Sequence, residues 1–352
     1  MNTQDTSTVL WSLDEVISPN LAEPVRVVAA KGIPYVPNGN RLQNLNLYLP
    51  LTAETSSLVG TLADTLPFQE SPSPLPRYHV HVHGGAWRDP LLTATSIEPA
   101  VAHAFSGFDA SSPITVLTSI NYTLSEFPTH PILPYDASKD NRSDPAREAV
   151  HPQHVSDVLR GLARLRSRGL TDGSYILSGH SCSACLVFQS VLVPPSHYGL
   201  ENIADPPCPA ALIGLNGLYD LPALVYDLGS SHEHMSGDYE RFLSISFGAD
   251  KSRWPDASPA HFDAGMISQR VHDGKVPPLI SLDQSTADEK VPMNQKVPMN
   301  QRERLEATLH QVDELRVMSG HRCVGTHAAP WREGSMIWST VLDALQTLQD
   351  RD

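Results

Sequence analysis

The feature that most limits what this sequence can fold into is a hinge of small residues, Gly179-His180-Ser181-Cys182-Ser183, set between a strand-like run and an apolar helical run. A serine on a sharp strand-to-helix turn is held in strained backbone geometry, with its hydroxyl at the top of a sheet and at the positive end of the following helix. Residues two before and two after it must be small, because strand and helix crowd there. Gly179 meets that need. Ser183 stands where a second glycine is usual and adds a Cβ and a hydroxyl; with Ala184 beside it, the turn is expected to survive. The alternative is a serine in an ordinary strand–helix loop.

The segments around the hinge alternate between the two kinds of periodicity. Residues 45–49, 78–83, 114–120, 174–178, 211–215, 278–282 and 315–318 read as strands, several of them β-branched runs of the buried type. Val155, Val158, Leu159, Leu162 and Leu165 form an apolar stripe at helical spacing, as do Ile337, Val341, Leu345 and Leu348 near the C-terminus. The expected fold is therefore α/β, a mostly parallel central sheet with helices on both faces. At 352 residues one large domain over 1–352 suffices. Residues 51–77, rich in Ser, Thr and Pro, read as a surface loop insertion. Residues 219–272 read as helical and loop material capping the sheet's top edge, where a pocket would lie. Residues 290–295, Lys-Val-Pro-Met-Asn-Gln, are repeated unchanged as residues 296–301.

A formal net charge of −14 and the lack of a basic run argue against a nucleic-acid partner, since phosphate binding needs clustered Lys and Arg. No apolar run approaches membrane-spanning length, and the first twelve residues lack the basic-then-apolar order of a signal peptide. The four cysteines, Cys182, Cys185, Cys208 and Cys323, show no metal-ligand spacing apart from the Cys182/Cys185 pair, which has CxxC spacing without a βαβ redox context and reads as two small buried thiols on a helix. So few cysteines suggest a reducing compartment, and a cytoplasmic location is expected. The histidines show no metallohydrolase spacing such as HExxH.

A second motif, His83-Gly84-Gly85-Ala86-Trp87, follows a strand about a hundred residues before Ser181. A serine that attacks a carbonyl creates an oxyanion, and backbone N–H groups must already point at it. The amides of Gly85, Ala86 and Cys182 are the candidate donors. His83, His79 and His81 read as structural. Such a serine also needs a histidine base and an acid to orient it, in the chain order serine, acid, histidine. His327, in Gly325-Thr326-His327 after the last strand, is preferred over His321. Asp288, in a loop after the strand that ends near Leu282, is preferred over Asp283 and Asp220, with Glu289 a solvated neighbour.

Taken together, His83-Gly84-Gly85-Ala86-Trp87-Arg88-Asp89-Pro90, Gly179-His180-Ser181-Cys182 and Gly325-Thr326-His327 resemble the kynurenine formamidase (arylformamidase) family of the α/β-hydrolase fold. Ile120-Asn121-Tyr122-Thr123-Leu124-Ser125 leading to His130-Pro131, His151-Pro152-Gln153-His154, and Asp288 before Val291-Pro292 are also similar, so the resemblance spans residues 47–338. It implies hydrolysis of N-formyl-L-kynurenine to L-kynurenine and formate, in tryptophan degradation towards NAD synthesis. No metal or cofactor is implied, and homodimers are common in the family. Carried over, Ser181 is the nucleophile, Asp288 the acid, His327 the base, and Gly85 and Ala86 form the oxyanion hole. Trp87, Tyr122 and Trp254 are candidates for the aromatic pocket. The rival readings are a broad carboxylesterase on the same triad and an inactive hydrolase fold used as a binding module.

Overall fold

The structure, a computed structural model, describes residues 8–64, 75–109, 112–229, 232–291 and 299–350. Its strands are β1 (Ser12–Val16), β2 (Val25–Pro34), β3 (Asn44–Pro50), β4 (Tyr78–Val82), β5 (Val116–Ile120), β6 (Tyr175–His180), β7 (Ala211–Leu215), β8 (Leu279–Asp283) and β9 (Arg316–Gly320). Its helices are α1 (Ala53–Ser56), α2 (Glu98–Phe105), α3 (Gln153–Arg166), α4 (Cys182–Leu192), α5 (Ala223–Tyr226), α6 (Ser236–Phe247), α7 (Ala264–His272), α8 (Gln301–Leu309), α9 (Ala329–Glu333) and α10 (Ser335–Gln349).

The strands form one sheet in the order β1-β2-β3-β5-β4-β6-β7-β8-β9. From β5 to β9 every pairing is parallel, while β1, β2 and β3 add an antiparallel wing. Parallel strands need both faces covered, and β4, β6, β7 and β8 are buried along their whole length. Alternate residues serve opposite faces. Val80, Val82, Tyr175 and Leu177 join α3 and α4 in one apolar cluster, and Ile176, Ile213 and Leu279 join α2 and α10 in another. The sequence thus yields the α/β-hydrolase architecture it suggested, plus two N-terminal strands it did not. Among the described residues no helix is long and apolar enough to cross a membrane.

The described part of residues 51–77 is less detached than its composition implies. Thr52 caps α1 through a capping box, Ala63 is fully buried, and Leu62 forms a bridge to Leu10. Residues 65–74 of that insertion lie outside the described residues. So do residues 292–298 of the duplicated segment. Its second copy ends at Asn300, whose side chain caps α8, and Gln301, the first residue of that helix. All of the duplicated residues but Gln301 therefore come before α8 in the chain, and the helix's own register is untouched. Gln301 then grips the chain after β7: its Oε1 accepts the amides of Tyr219 and Asp220, each at 2.7 Å, and its Nε2 donates to Asp220 O at 2.8 Å.

Candidate active site

β6 runs directly into α4, and the turn between them is Ser181. Its backbone has φ 58° and ψ −124°, a conformation costly for a residue with a Cβ. Its amide donates to Leu215 O on β7 at 2.9 Å, which helps hold the turn. Gly179 allows it: a Cβ there would stand 2.2 Å from Ser183 O. Ser183 does more than fit. Its hydroxyl donates to His83 O and lies 3.4 Å from the Tyr122 hydroxyl, so the departure from glycine ties the turn to the Gly-Gly loop.

Ser181 Oγ lies 2.8 Å from His327 Nε2, and His327 Nδ1 lies 2.8 Å from Asp288 Oδ2. The Asp288 side chain is fully buried, and a buried carboxylate needs its oxygens bonded. Oδ1 accepts the amides of Lys290 and Val291, both at 2.8 Å, and Oδ2 also accepts Gln284 Nε2 at 2.9 Å. The loop carrying His327 is held at both backbone groups. Its N–H donates to Glu289 at 2.8 Å, and its carbonyl accepts His180 Nε2 at 2.8 Å. Glu289 is exposed, as the sequence reading expected, and it also accepts the amide of the histidine loop. Burial, reinforced by the nearby His327, pushes the His180 pKa down to about 3, so it stays a neutral donor with Nε2 protonated.

The competing residues are engaged elsewhere. His321 Nδ1 donates to Gln284 O at 3.0 Å, Asp283 pairs with Arg322 at 2.9 Å, and Asp220 pairs with His261 at 3.1 Å and Arg304 at 3.2 Å.

The Gly-Gly loop leaves the end of β4 beside Ser181. Gly85 has φ 114°, and Ala86 and Trp87 follow at 51° and 60°, two consecutive left-handed residues with side chains. Such strain persists only where surroundings impose it. The Trp87 amide donates to Cys182 Sγ at 3.3 Å. The first amides of α4, that of Cys182 among them, have no intrahelical acceptor. His83 Nδ1 donates to Gly84 O at 2.8 Å and its ring stacks on Tyr122 at 4.6 Å; burial lowers its pKa to about 4.

Ser181, His327, Gly85 and Ala86 open onto a cavity of about 530 Å³. Its walls include Phe127, Tyr239, Phe242 and Trp331, with Arg88, Asp89, Asp238 and Lys290 as charged members. The volume falls within the range of small-molecule sites. Among the described residues, no three His, Cys, Asp or Glu side chains converge as a metal site would require.

No family model matches the chain. A kynurenine formamidase-like hydrolase of Fusarium equiseti is 30% identical over 326 residues, covering 90% of this chain and 95% of that protein. The chain belongs to the kynurenine formamidase-like hydrolases. A kynurenine formamidase of Aspergillus versicolor is 28% identical over 199 residues, 53% of this chain and 63% of the relative. Among solved structures, a carbohydrate esterase from gut microbiota superposes with a TM-score of 0.53 at 14% identity, over 92% of this chain and 95% of that one. A fungal esterase of Rhizomucor miehei gives 0.52 at 13% identity, over 98% and 86%. At such identities the likeness shows the α/β-hydrolase fold.

Against this family frame, three sequence expectations need correction. Trp87, Tyr122 and Trp254 are fully buried, and none lines the cavity. Trp87 packs behind the wall, 6.0 Å from Phe242 and edge-on to Phe247 at 4.9 Å. Tyr122 donates to His83 O at 3.2 Å, and Trp254 Nε1 donates to Gly248 O at 3.1 Å. The aromatic walls come instead from Phe127, from Tyr239 and Phe242 on α6, and from Trp331 on α9. Sequence gives one available signal, the i, i+3 spacing of Tyr239 and Phe242 within residues 219–272.

Proposed function

We propose that this hydrolase deformylates N-formyl-L-kynurenine to L-kynurenine and formate, with Ser181 as nucleophile, His327 as base and Asp288 as its orienting acid. The observation that carries the reading is the unbroken hydrogen-bonded chain from Ser181 through His327 to a buried, fully bonded Asp288, at the mouth of an aromatic cavity. The relatives' names supply the substrate.

In this reading Ser181 Oγ attacks the formyl carbon while its proton passes to His327 Nε2. Negative charge collects on the former carbonyl oxygen, against the amides of Gly85, Ala86 and Cys182 at the start of α4. His327 then protonates the arylamine nitrogen, the C–N bond breaks and L-kynurenine leaves. Water, deprotonated by the same nitrogen, attacks the formyl-serine ester, and formate departs as Ser181 regains its proton. Asp288 keeps the His327 Nδ1 proton in place and stabilises the imidazolium. A formyl group is small, so nearly all of the cavity is left for the aromatic amine.

The test is hydrolysis of purified N-formyl-L-kynurenine beside 4-nitrophenyl acetate, by wild type and Ser181→Ala. Fast Ser181-dependent deformylation with weaker ester cleavage supports the proposal. Good ester cleavage without deformylation replaces it with a carboxylesterase.

A further inference from the structure

Arg88 follows the Gly-Gly loop directly, and its guanidinium is clamped between rings. Its central carbon lies 3.9 Å from the centroid of Phe127 and 5.0 Å from that of Phe242. Arg88 and both rings line the cavity that holds Ser181 and His327. The residue is half-buried, and its Nε is buried with no hydrogen-bond partner among the described residues. No described carboxylate forms an ion pair with it. The two acids on the same wall have other neighbours: Asp238 pairs with Arg241 at 3.0 Å, and Asp89 is approached by His130 at 3.4 Å and accepts the Leu91 amide at 2.9 Å. The cavity's other cation, Lys290, is exposed to solvent.

Stacking covers the faces of a guanidinium and leaves its edges, where all five N–H donors lie. Those edges match a carboxylate in a two-pronged contact that a lysine cannot reproduce. Burial lowers the Arg88 pKa to about 10, so it remains a cation at neutral pH. This cation is held between rings on the cavity that Ser181 also lines, and it feels Asp238 and Asp89 only at a distance, outside ion-pair range, so its edge donors are left for an anionic ligand.

We infer that Arg88 binds the amino-acid carboxylate of the substrate, and so selects N-acyl arylamines that carry an anionic tail over neutral ones. This rests on the deformylase reading for the identity of the ligand. Arg88 takes no part in bond making; it sets which amines are held with their acyl nitrogen near His327.

The experiment is calorimetric binding of L-kynurenine and of its decarboxylated amine to wild type, Arg88→Gln and Arg88→Lys, each checked for an unchanged melting temperature. Arg88→Gln is expected to weaken L-kynurenine about 10- to 100-fold, the loss of a charge-assisted contact. The decarboxylated amine should bind all three proteins alike, and Arg88→Lys should recover only part of the loss. Equal weakening of both ligands, no weakening of either, or a wild type that does not prefer the carboxylated amine overturns the inference. Deformylation is measured separately. Arg88-dependent binding without turnover removes the proposed activity and leaves the carboxylate receptor standing. Turnover with Arg88-independent binding does the reverse.

Discussion

Gln284 Nε2 donates, at 2.9 Å, to the same Asp288 oxygen that His327 Nδ1 meets at 2.8 Å. Its amide also bonds Val291 O at 3.2 Å, so one side chain links the acid to the far end of its own loop. Gln284→Ala removes that strut while leaving Ser181 and His327 intact. A loss of about tenfold in kcat is expected, equivalent to about 1.4 kcal/mol of misplaced hydrogen bonding. An unchanged kcat would show that the two backbone amides on Oδ1 hold Asp288 by themselves.

Asp288→Asn keeps size and shape but offers His327 an amide in place of a charge. The imidazole then loses the partner that fixes its Nδ1 proton, and the imidazolium loses its counter-charge. kcat should fall by roughly 10⁴, with little change in melting temperature. If Asp288→Asn stays within tenfold of wild type, Asp288 is the wrong acid.

Ser183→Ala tests the contact between the nucleophile turn and the Gly-Gly loop. The methyl fits, but His83 O loses the serine hydroxyl it accepts in a buried setting. Stability should drop by about 1–2 kcal/mol, read as the midpoint of urea unfolding. No shift would mean that the Tyr122 hydroxyl, 3.2 Å from the same oxygen, compensates.

Acid should destabilise this protein early. His79, His154 and His180 have pKa values pushed by burial to about 3, and His83 to about 4. In the unfolded chain each titrates near 6.5. Between about pH 6.5 and 4 the unfolded state therefore binds more protons than the folded state. Stability must rise with pH through that window and level off above it. Melting temperatures should be flat from pH 8 to 7 and fall steeply from 6.5 to 5; a flat curve down to pH 5 would contradict buried neutral histidines.

The parts of the fold that a sequence announces are those with one strong period. The buried central strands and the α3 and α10 stripes lie within a residue or two of where apolar spacing puts them. β1 gives no such signal, because four of its five residues are not buried. In β2 the alternation is broken by an irregularity between Ala30 and Ile33. Small-residue context and chain order singled out Ser181, His327 and Asp288, and the structure sets them within hydrogen-bonding distance of one another. The pocket was not legible. An aromatic side chain favours a wall and a core equally well, and whether Trp87 or Phe242 meets the cavity depends on how α6 lies over the sheet. Arg88 was visible only as part of a motif; its role as a clamped cation needs two rings that lie 39 and 154 positions away.

The tandem hexapeptide copied its own borders. Because the unit repeated whole, a lysine-valine pair still follows Glu289 and an asparagine-glutamine pair still precedes Arg302, just as a single copy would supply. The first pair gives Asp288 its two amides, and the second caps α8 and grips Tyr219 and Asp220. The repeat thus lengthens the chain beside the Asp288 loop with both anchorages in place. Excising one copy should leave Ser181-dependent turnover undiminished.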